Sequence, residues 1–340
     1  MSNDTHIRSG RIAVISGGVG AARMLRGLAA AVDPDRITAL VNTGDDTVLH
    51  GLSISPDLDT IVYTLADAID PERGWGLVDE TWRAMGALDR YAAIRPPDSQ
   101  AAPQWFNLGD QDLATHFYRT ARLQEGATLT EVTDEIRQAW GVPIRMLPMS
   151  DRRRSTIVTV TADPDAGGEP RDVSFQDYFV RLRHGVPVSA VRFDGDAELT
   201  PSARASILDA ETIVIAPSNP VVSIGPLRSL DGVDEMLTQR RDDVVAVSPI
   251  IGGAALKGPA DRMLVELGHE ASVVGVARLY AEIASVLVID PVDAHLSEAV
   301  EATGMRCVVT PSVMSTPAIA RRLAEVTLES VAGPGETVAQ

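Results

Sequence analysis

The sequence contains a single cysteine, Cys307, in 340 residues. One cysteine excludes an intrachain disulfide and a thiolate metal cluster, and it is typical of proteins from a reducing compartment. No apolar run approaches the roughly 20 residues that a membrane-spanning helix needs. Residues 1–8 also lack the apolar segment of a signal peptide. We therefore expect a cytoplasmic protein.

Aromatic residues and positive charge are also scarce. Aromatic side chains make up 4% of the chain, and the formal net charge is −17 at pH 7. This excess of negative charge argues against a dedicated nucleic-acid binder and against a protein that docks on an anionic membrane. It does not exclude a phosphate ligand, because backbone amides and a few local cations can hold one.

Short, buried, β-branched runs alternate with helical patterns at both ends of the chain. Such runs favour parallel strands that are covered by helices on both faces. They predict an α/β fold, a Rossmann-like, doubly wound and mostly parallel sheet, with its core in residues 10–70 and 186–330. The pattern of residues 71–185 predicts a helical insertion that forms a lid or second lobe. The predicted core strands are Arg11–Ser16, Ile37–Val41, Val188–Phe193, Thr212–Ala216, Val244–Val247, Val286–Asp290 and Arg306–Thr310.

The pattern between these strands predicts several further elements. A helical pattern runs from Asp57 to about Leu88, with a break at Asp70-Pro71. A second helix is expected from Thr130 to Trp140, with Thr130 and Thr133 as an imperfect capping box. The segment Met146–Asp151 is expected to be an irregular polar turn before three arginines.

A glycine loop follows the first predicted strand. Gly17, Gly18 and Gly20 stand between this strand and a helix, which is the arrangement that aims loop amides at an anion. The match to the GxGxxG pattern is incomplete, because Arg23 stands where the third glycine would be. The loop therefore predicts a phosphate or nucleotide without naming it.

Four aspartates follow the second predicted strand: Asp45, Asp46, Asp57 and Asp59. Carboxylates in a turn after a buried strand are costly unless they bind something, such as a divalent metal or a substrate's hydroxyl groups. For Asp57, capping of the next helix explains the residue at least equally well. Because ligands collect at the carboxyl ends of the strands, we expect the glycine loop and the aspartates to face each other.

Two later strands also end in polar turns, Ser218–Ser223 and Gly252–Gly258. These turns offer backbone amides and one lysine, Lys257, to a phosphate. Within the predicted insertion, His116 and Arg119 are three residues apart, so both lie on one helical face. For His116, a structural and a functional role are equally well supported.

The chain resembles a known family through a series of motifs in a fixed order. They are SGGVGAARMLRGL, VNTGDD, SPDLDT, WFNLGDQDLATH, LPMSD, FQDYFV, APSNPVVSIGP and VSPIIGGAALKGPADRML. Together they resemble the 2-phospho-L-lactate transferase family of coenzyme F420 biosynthesis, and most closely its actinobacterial phosphoenolpyruvate transferases. The resemblance covers nearly the whole chain.

The resemblance implies an enzyme that transfers 2-phospholactate or enolpyruvyl phosphate from a guanosine-diphosphate-linked donor to the deazaflavin Fo. GMP leaves, Mg²⁺ is required, and a homodimer is expected. Asp59 and Asn107 match positions that contact Fo in the family, although a basic residue is more usual at 107 and an arginine at Gln111. The implied sites are Asp45 and Asp59 for catalysis and Mg²⁺; Asp59, Asn107, Asp110 and His116 for Fo; and Gly17, Gly18, Gly20, Asn42, Ser218, Asn219, Ser223, Gly252, Gly253 and Lys257 for the nucleotide.

Two other functions fit parts of the sequence. An NAD(P)-dependent oxidoreductase would explain the glycine loop, with Asp45 as the residue that binds the ribose. A nucleotide-binding regulator without catalysis would explain the same loop. The cluster of aspartates is larger than one ribose needs, and three polar strand ends favour a site for two substrates.

Overall fold

A computed structural model describes residues 7–96, 99, 101–103, 105–163 and 167–331. Its centre is a seven-stranded sheet in which every neighbouring pair is parallel. Its strands are β1 (Ile12–Ser16), β2 (Ile37–Val41), β5 (Arg145–Pro148), β9 (Thr212–Ile215), β10 (Val244–Val247), β13 (Val286–Ile289) and β14 (Arg306–Val309). Their order across the sheet is β14-β13-β10-β9-β1-β2-β5.

The other strands form three small antiparallel sheets. Two are hairpins that follow β2 and β10, and the third has the order β7-β6-β8. The hairpins are β3 (Thr47–Leu49) with β4 (Leu52–Ile54), and β11 (Ile250–Ile251) with β12 (Ala254–Ala255); the third sheet contains β6 (Ser155–Val160), β7 (Arg171–Ser174) and β8 (Val188–Asp194).

Helices cover both faces of the large sheet. None of the helices in the described residues combines the length and apolar character needed to cross a membrane. They are α1 (Gly18–Ala31), α2 (Pro56–Leu65), α3 (Arg83–Ala92), α4 (Asp112–Gln124), α5 (Leu129–Ala139), α6 (Pro201–Asp209), α7 (Gly225–Arg228), α8 (Val233–Gln239), α9 (Ala260–Glu266), α10 (Val273–Tyr280), α11 (Ser297–Glu301) and α12 (Pro317–Glu329).

The core has two layers, one on each face of the sheet. Successive strand residues alternate between them, so that Ala13 and Ile15 pack in one layer while Ile12 and Val14 pack in the other. All five residues of β1 are buried. Burial on both faces explains why the strands are continuous apolar runs. The predicted α/β class and parallel sheet are confirmed. The placement of Val188–Phe193 in the core sheet is wrong, because β8 pairs antiparallel with β6 outside the large sheet.

The segment 71–185 differs from the helical insertion that its pattern predicts. It contains α3, α4 and α5, but it also contains β5, which extends the large sheet beside β2 through the pairing of Val41 with Pro148. The expected irregular turn at Met146–Asp151 is therefore wrong over its first half. Pro148 is tolerated because β5 is an edge strand at the end of the sheet.

Two helix boundaries also differ from the predictions. The helix that begins in the acidic stretch ends at Leu65, and α3 begins only at Arg83. The turn that follows α2 contains Asp67 in a left-handed conformation, which is incompatible with a continuing helix. The capping box of α5 is formed by Thr128 and Glu131 rather than by Thr130 and Thr133.

Candidate active site

The loops after β1 and β9 meet where the strand order reverses direction. Ser218 Oγ donates a hydrogen bond to the Gly17 carbonyl oxygen at 2.7 Å. A Cβ atom on Gly17 would lie 2.8 Å from Ser223 Cβ, and one on Gly20 would clash with the Pro217 carbonyl oxygen. Glycine is therefore required at both positions for the two loops to approach. In open α/β sheets, this reversal point is where ligands bind.

The loops after β1 and β9 border a crevice at the reversal point of the sheet. Asn42, the first residue after β2, connects this crevice to the aspartates that follow β2. Its Nδ2 atom donates to Asp45 Oδ2 at 3.2 Å and to Asp57 Oδ2 at 2.9 Å. Its Oδ1 atom accepts the Gly44 amide at 2.8 Å. The Gly18 amide at the start of α1 also donates to Asp57. The predicted approach of the glycine loop to the aspartates is confirmed, and one loop amide is already bound by Asp57.

Three carboxyl groups of this cluster are difficult to ionise. Burial, and after it the charge of Asp57, raises the pKa of Asp45 well above its usual range. Burial raises the pKa of Asp46 to about 8 and that of Asp57 to about 6. Their charged forms are therefore unfavourable unless a cation compensates them.

This donor set fits a magnesium ion. Among the described residues, Asp45 Oδ1 and Asp46 Oδ1 are buried and make no hydrogen bond of good geometry, although the Thr156 hydroxyl lies near enough to Asp45 to lower its pKa. No group of three or more His, Cys, Asp or Glu side chains in the described ranges is arranged to hold a metal. Mg²⁺ needs only one or two carboxylates, because it keeps several of its waters. Asp45 and Asp46 supply that number.

Asp59 has a different partner from the metal that the sequence predicts for it. Arg119 on α4 forms a two-point ion pair with its carboxylate: Nη1 lies 3.1 Å from Oδ2, and Nη2 contacts Oδ1. Asp59 and Arg119 are 5% and 2% exposed. Asp57 and Asp59 are two residues apart on α2, so they point in directions about 200° apart around the helix. Asp57 consequently faces the glycine loop while Asp59 faces α4.

His116 belongs to the same buried network as this ion pair. Its Nδ1 atom lies 3.3 Å from Arg119 Nη1 and 3.8 Å from Asp59 Oδ2, and its Nε2 atom lies 3.3 Å from Asp112 Oδ2. The Tyr63 hydroxyl donates to Asp112 Oδ1 at 2.6 Å. His116 therefore contacts Asp59 but lies in a closed internal network. The nearness of Asp112 to His116 agrees with the sequence, whereas Tyr63 was not predicted to take part.

Asn107 and Asp110 lie in a different place from the carboxylate cluster. Asp110 accepts the amides of Arg83 and Ala84 at 3.0 and 2.9 Å, so it caps the start of α3. Asn107 is exposed and borders a cleft of ≈ 330 Å³ that Trp82 also lines. Within the described residues, neither side chain hydrogen-bonds to Asp45, Asp46 or Asp57.

The predicted nucleotide residues of the later turns have identifiable contacts. Asn219 Oδ1 accepts the amides of residues 221 and 222 at 2.9 and 3.4 Å, which fixes the turn that carries Ser223. The Gly252 amide donates to Asp293 Oδ2 at 2.9 Å. Lys257 lies so close to Gly74 that a Cβ there would clash with its Nζ atom. The Ser218–Ser223 turn contacts the glycine loop at Gly17 and so borders the crevice. Lys257 reaches the segment between α2 and α3.

Comparison with known proteins gives consistent matches. The family described as 2-phospho-L-lactate transferase CofD matches residues 12–317. A phosphoenolpyruvate transferase of Kitasatospora aureofaciens is 41% identical over 309 residues, which are 90% of this chain and 92% of that protein. One from Streptomyces griseus is 41% identical over 326 residues, or 94% and 99% of the two chains. A crystal structure of a UPF0052 family protein from Bacillus halodurans has a TM-score of 0.58 at 15% identity, over 95% of this chain and 99% of that one.

The fold and the crevice define a doubly wound α/β protein with buried carboxylates at the reversal point of its sheet. The family match spans most of the chain, and the curated relatives agree with it along nearly their full lengths. The chain therefore belongs to the 2-phospho-L-lactate transferase family CofD. The predicted resemblance is confirmed, and with it the class of transferases. The likeness to the Bacillus protein supports the fold alone.

Proposed function

We propose that the protein transfers an enolpyruvyl-phosphate or 2-phospholactate group from a guanosine-diphosphate-linked donor to Fo, with release of GMP. The observation that carries this proposal is the meeting of the glycine loop, the Ser218–Ser223 turn and the buried carboxylates at one crevice. The names of the relatives support enolpyruvyl as the transferred group. The proposed assembly is a homodimer, which light scattering would test.

The reaction makes and breaks one phosphorus–oxygen bond. A hydroxyl oxygen of Fo attacks the phosphorus that carries the enolpyruvyl or lactyl group. The bond from that phosphorus to the oxygen shared with the second phosphate breaks, and GMP leaves with the electron pair. The hydroxyl proton passes to a protein carboxylate. Such a transfer depends on in-line positioning and on neutralised phosphate charge.

Asp45 and Asp46 would hold Mg²⁺, and Asp57 would accept the proton. When bound, Mg²⁺ neutralises phosphate charge during the transfer. Asp57 is oriented by the Asn42 side chain and the Gly18 amide, and burial raises its pKa to about 6. A carboxyl group with a pKa close to the working pH is an efficient proton acceptor.

The nucleotide and the acceptor ring would bind in separate places. The turns at Ser218–Ser223 and Gly252–Gly253 would hold the guanosine diphosphate, together with Lys257. The cleft beside Asn107 would hold the ring of Fo, since its ≈ 330 Å³ falls within the range of about 300–1,000 Å³ that is usual for ligand sites. Arg119 would act as a positioning residue by fixing the Asp59 carboxylate within its internal network.

Incubation of the protein with Fo, the donor and MgCl₂ tests this function. We expect one GMP for each Fo adduct, detected by chromatography and mass spectrometry, and much slower GMP release when Fo is omitted. Release of GMP at the same rate with and without Fo would identify a hydrolase instead. Tight NAD(P) binding without any Fo adduct would favour the oxidoreductase, and GDP binding without turnover would favour the regulator.

A further inference from the structure

A second, smaller cavity adjoins the carboxylate cluster at Asp46. Its volume is ≈ 150 Å³, and Thr43 and Ser55 line it together with Asp46. Asp151, Arg152 and Arg153 line it as well, and Asp151 Oδ1 already accepts hydrogen bonds from the amide and the hydroxyl of Thr130. These arginines follow β5, and the Met149 amide bonds to the Val41 carbonyl oxygen at 2.9 Å, so the turns after β5 and β2 lie side by side.

The cavity presents polar atoms that have no partner in the protein. Thr43 is 4% exposed, and its Oγ1 atom has no hydrogen-bond partner among the described residues. Asp46 Oδ1 is also a buried atom without a hydrogen-bond partner among these residues. Unsatisfied buried polar atoms are costly, so atoms of this kind around a cavity point to a polar ligand.

Two of the three consecutive arginines keep their donors available to this cavity. Arg152 lies 3.7 and 3.6 Å from the exposed carboxylates of Asp196 and Glu198, which is a weak surface pairing. Arg153 has no ion pair within the described ranges, and its Nε atom donates only to a serine hydroxyl. Arg154 differs, because Gly195 and Ser229 accept hydrogen bonds from its guanidinium group.

The apolar part of the lining limits the size and kind of ligand. Ile54, Leu123 and Leu129 line the cavity between its polar residues. Its ≈ 150 Å³ is below the range of about 300 Å³ and more that is usual for larger ligands, so a tricyclic ring does not fit. A three-carbon acid has a small apolar part for this lining and a carboxylate for the guanidinium groups of Arg152 and Arg153.

We propose that Arg152 and Arg153 bind the carboxylate of the transferred phosphocarboxylate group, while its phosphate faces Asp45 and Asp46. This inference rests on the proposed transfer reaction. In a chain of net charge −17, a carboxylate needs nearby cations, and guanidinium groups bind it through charge-assisted hydrogen bonds. The two arginines would therefore select donors that carry a carboxylate over donors that lack one.

Calorimetry with small anions in MgCl₂ tests this proposal without turnover. Phosphoenolpyruvate and 2-phospholactate are compared with ethyl phosphate, which lacks the carboxylate. Wild type should bind the phosphocarboxylates about 10- to 100-fold more tightly. The double variant Arg152→Gln/Arg153→Gln should lose this preference while its affinity for ethyl phosphate stays within about two-fold.

Arg278→Gln is the matched control for charge removal. Its side chain is 61% exposed, against 62% for Arg152, and it too has a surface ion pair. This variant should keep the full preference. An unchanged preference in the double variant, or no preference in wild type, would overturn the proposal. The assay with Fo tests the proposed function separately. If the preference for phosphocarboxylates depends on the two arginines but no Fo adduct forms, the anion site stands and the transferase function is rejected.

Discussion

Replacement of Asp46 by asparagine tests whether the carboxylate cluster is destabilising until a cation binds. Burial raises the pKa of Asp46 from 3.8 to about 8 in the folded protein. The folded state therefore holds a proton that the unfolded state has lost, and stability decreases as the pH rises from about 4 to about 8. Asparagine cannot ionise, so it removes this contribution at every pH.

The size of the effect follows from the same pKa. Between pH 5 and pH 8, wild type should lose about 3–4 kcal/mol of unfolding free energy relative to Asp46→Asn. For a chain of 340 residues this corresponds to about 5 °C in Tm, at an unfolding entropy of about 2.1 cal/mol/K per residue. Asp45 and Asp57 titrate in both proteins, so the difference reports mainly Asp46.

Thermal unfolding of the metal-free proteins at pH 5 and pH 8 measures this difference. Mg²⁺ should stabilise wild type more at pH 8 than at pH 5, because binding releases protons, and it should stabilise Asp46→Asn much less. Asp231→Asn, at an exposed carboxylate, is the control and should follow wild type at both pH values. Parallel curves for wild type and Asp46→Asn would refute the charge argument and remove its support for a cation at Asp46.

Three further substitutions test the surroundings of the cluster. Arg119→Met leaves the buried Asp59 carboxylate without its partner, so urea unfolding should show a loss of about 3–5 kcal/mol, partly recovered in Arg119→Met/Asp59→Asn. Asn219→Ala removes the acceptor of two amides in its turn, and GDP affinity should fall about 10-fold in calorimetry; an unchanged affinity would place the nucleotide elsewhere. Asn107→Ala, at the ≈ 330 Å³ cleft, should weaken Fo binding and raise the fraction of donor lost to hydrolysis without changing GDP affinity. A crystal soaked with Fo that shows the ring away from this cleft would contradict this prediction.

Much of the fold is predictable because buried parallel strands consist of continuous apolar runs. Ile37–Val41 and Val244–Val247 have the predicted bounds. The β3–β4 hairpin and β5 were not predicted. The hairpin strands are only three residues each and are mostly half-buried, and β5 is a four-residue edge strand that ends in proline. Short elements at the edge depend on tertiary pairing, which a local pattern does not record.

The site is predictable where it depends on strand ends and less so where it depends on helix rotation. The meeting of Gly17 with Asp57 follows from the parallel arrangement of β1 and β2. The partner of Asp59 could not be predicted, because Arg119 is 60 residues away in the chain and approaches only through the packing of α4. The arginine side of the small cavity depends in turn on β5, which the sequence pattern did not reveal.

The central claim is that the reaction occurs at the buried carboxylate cluster. The most direct test of this claim is the rate at which the Asp45→Asn variant transfers the group to Fo. With both substrates and Mg²⁺ saturating, kcat should fall at least about 100-fold, as expected when a carboxylate that would hold the cation at the reacting phosphate is lost. GDP affinity and the circular dichroism spectrum should stay close to those of wild type. An unchanged kcat for Asp45→Asn under these saturating conditions, or wild-type turnover at limiting Mg²⁺, would contradict the account and place the reaction elsewhere.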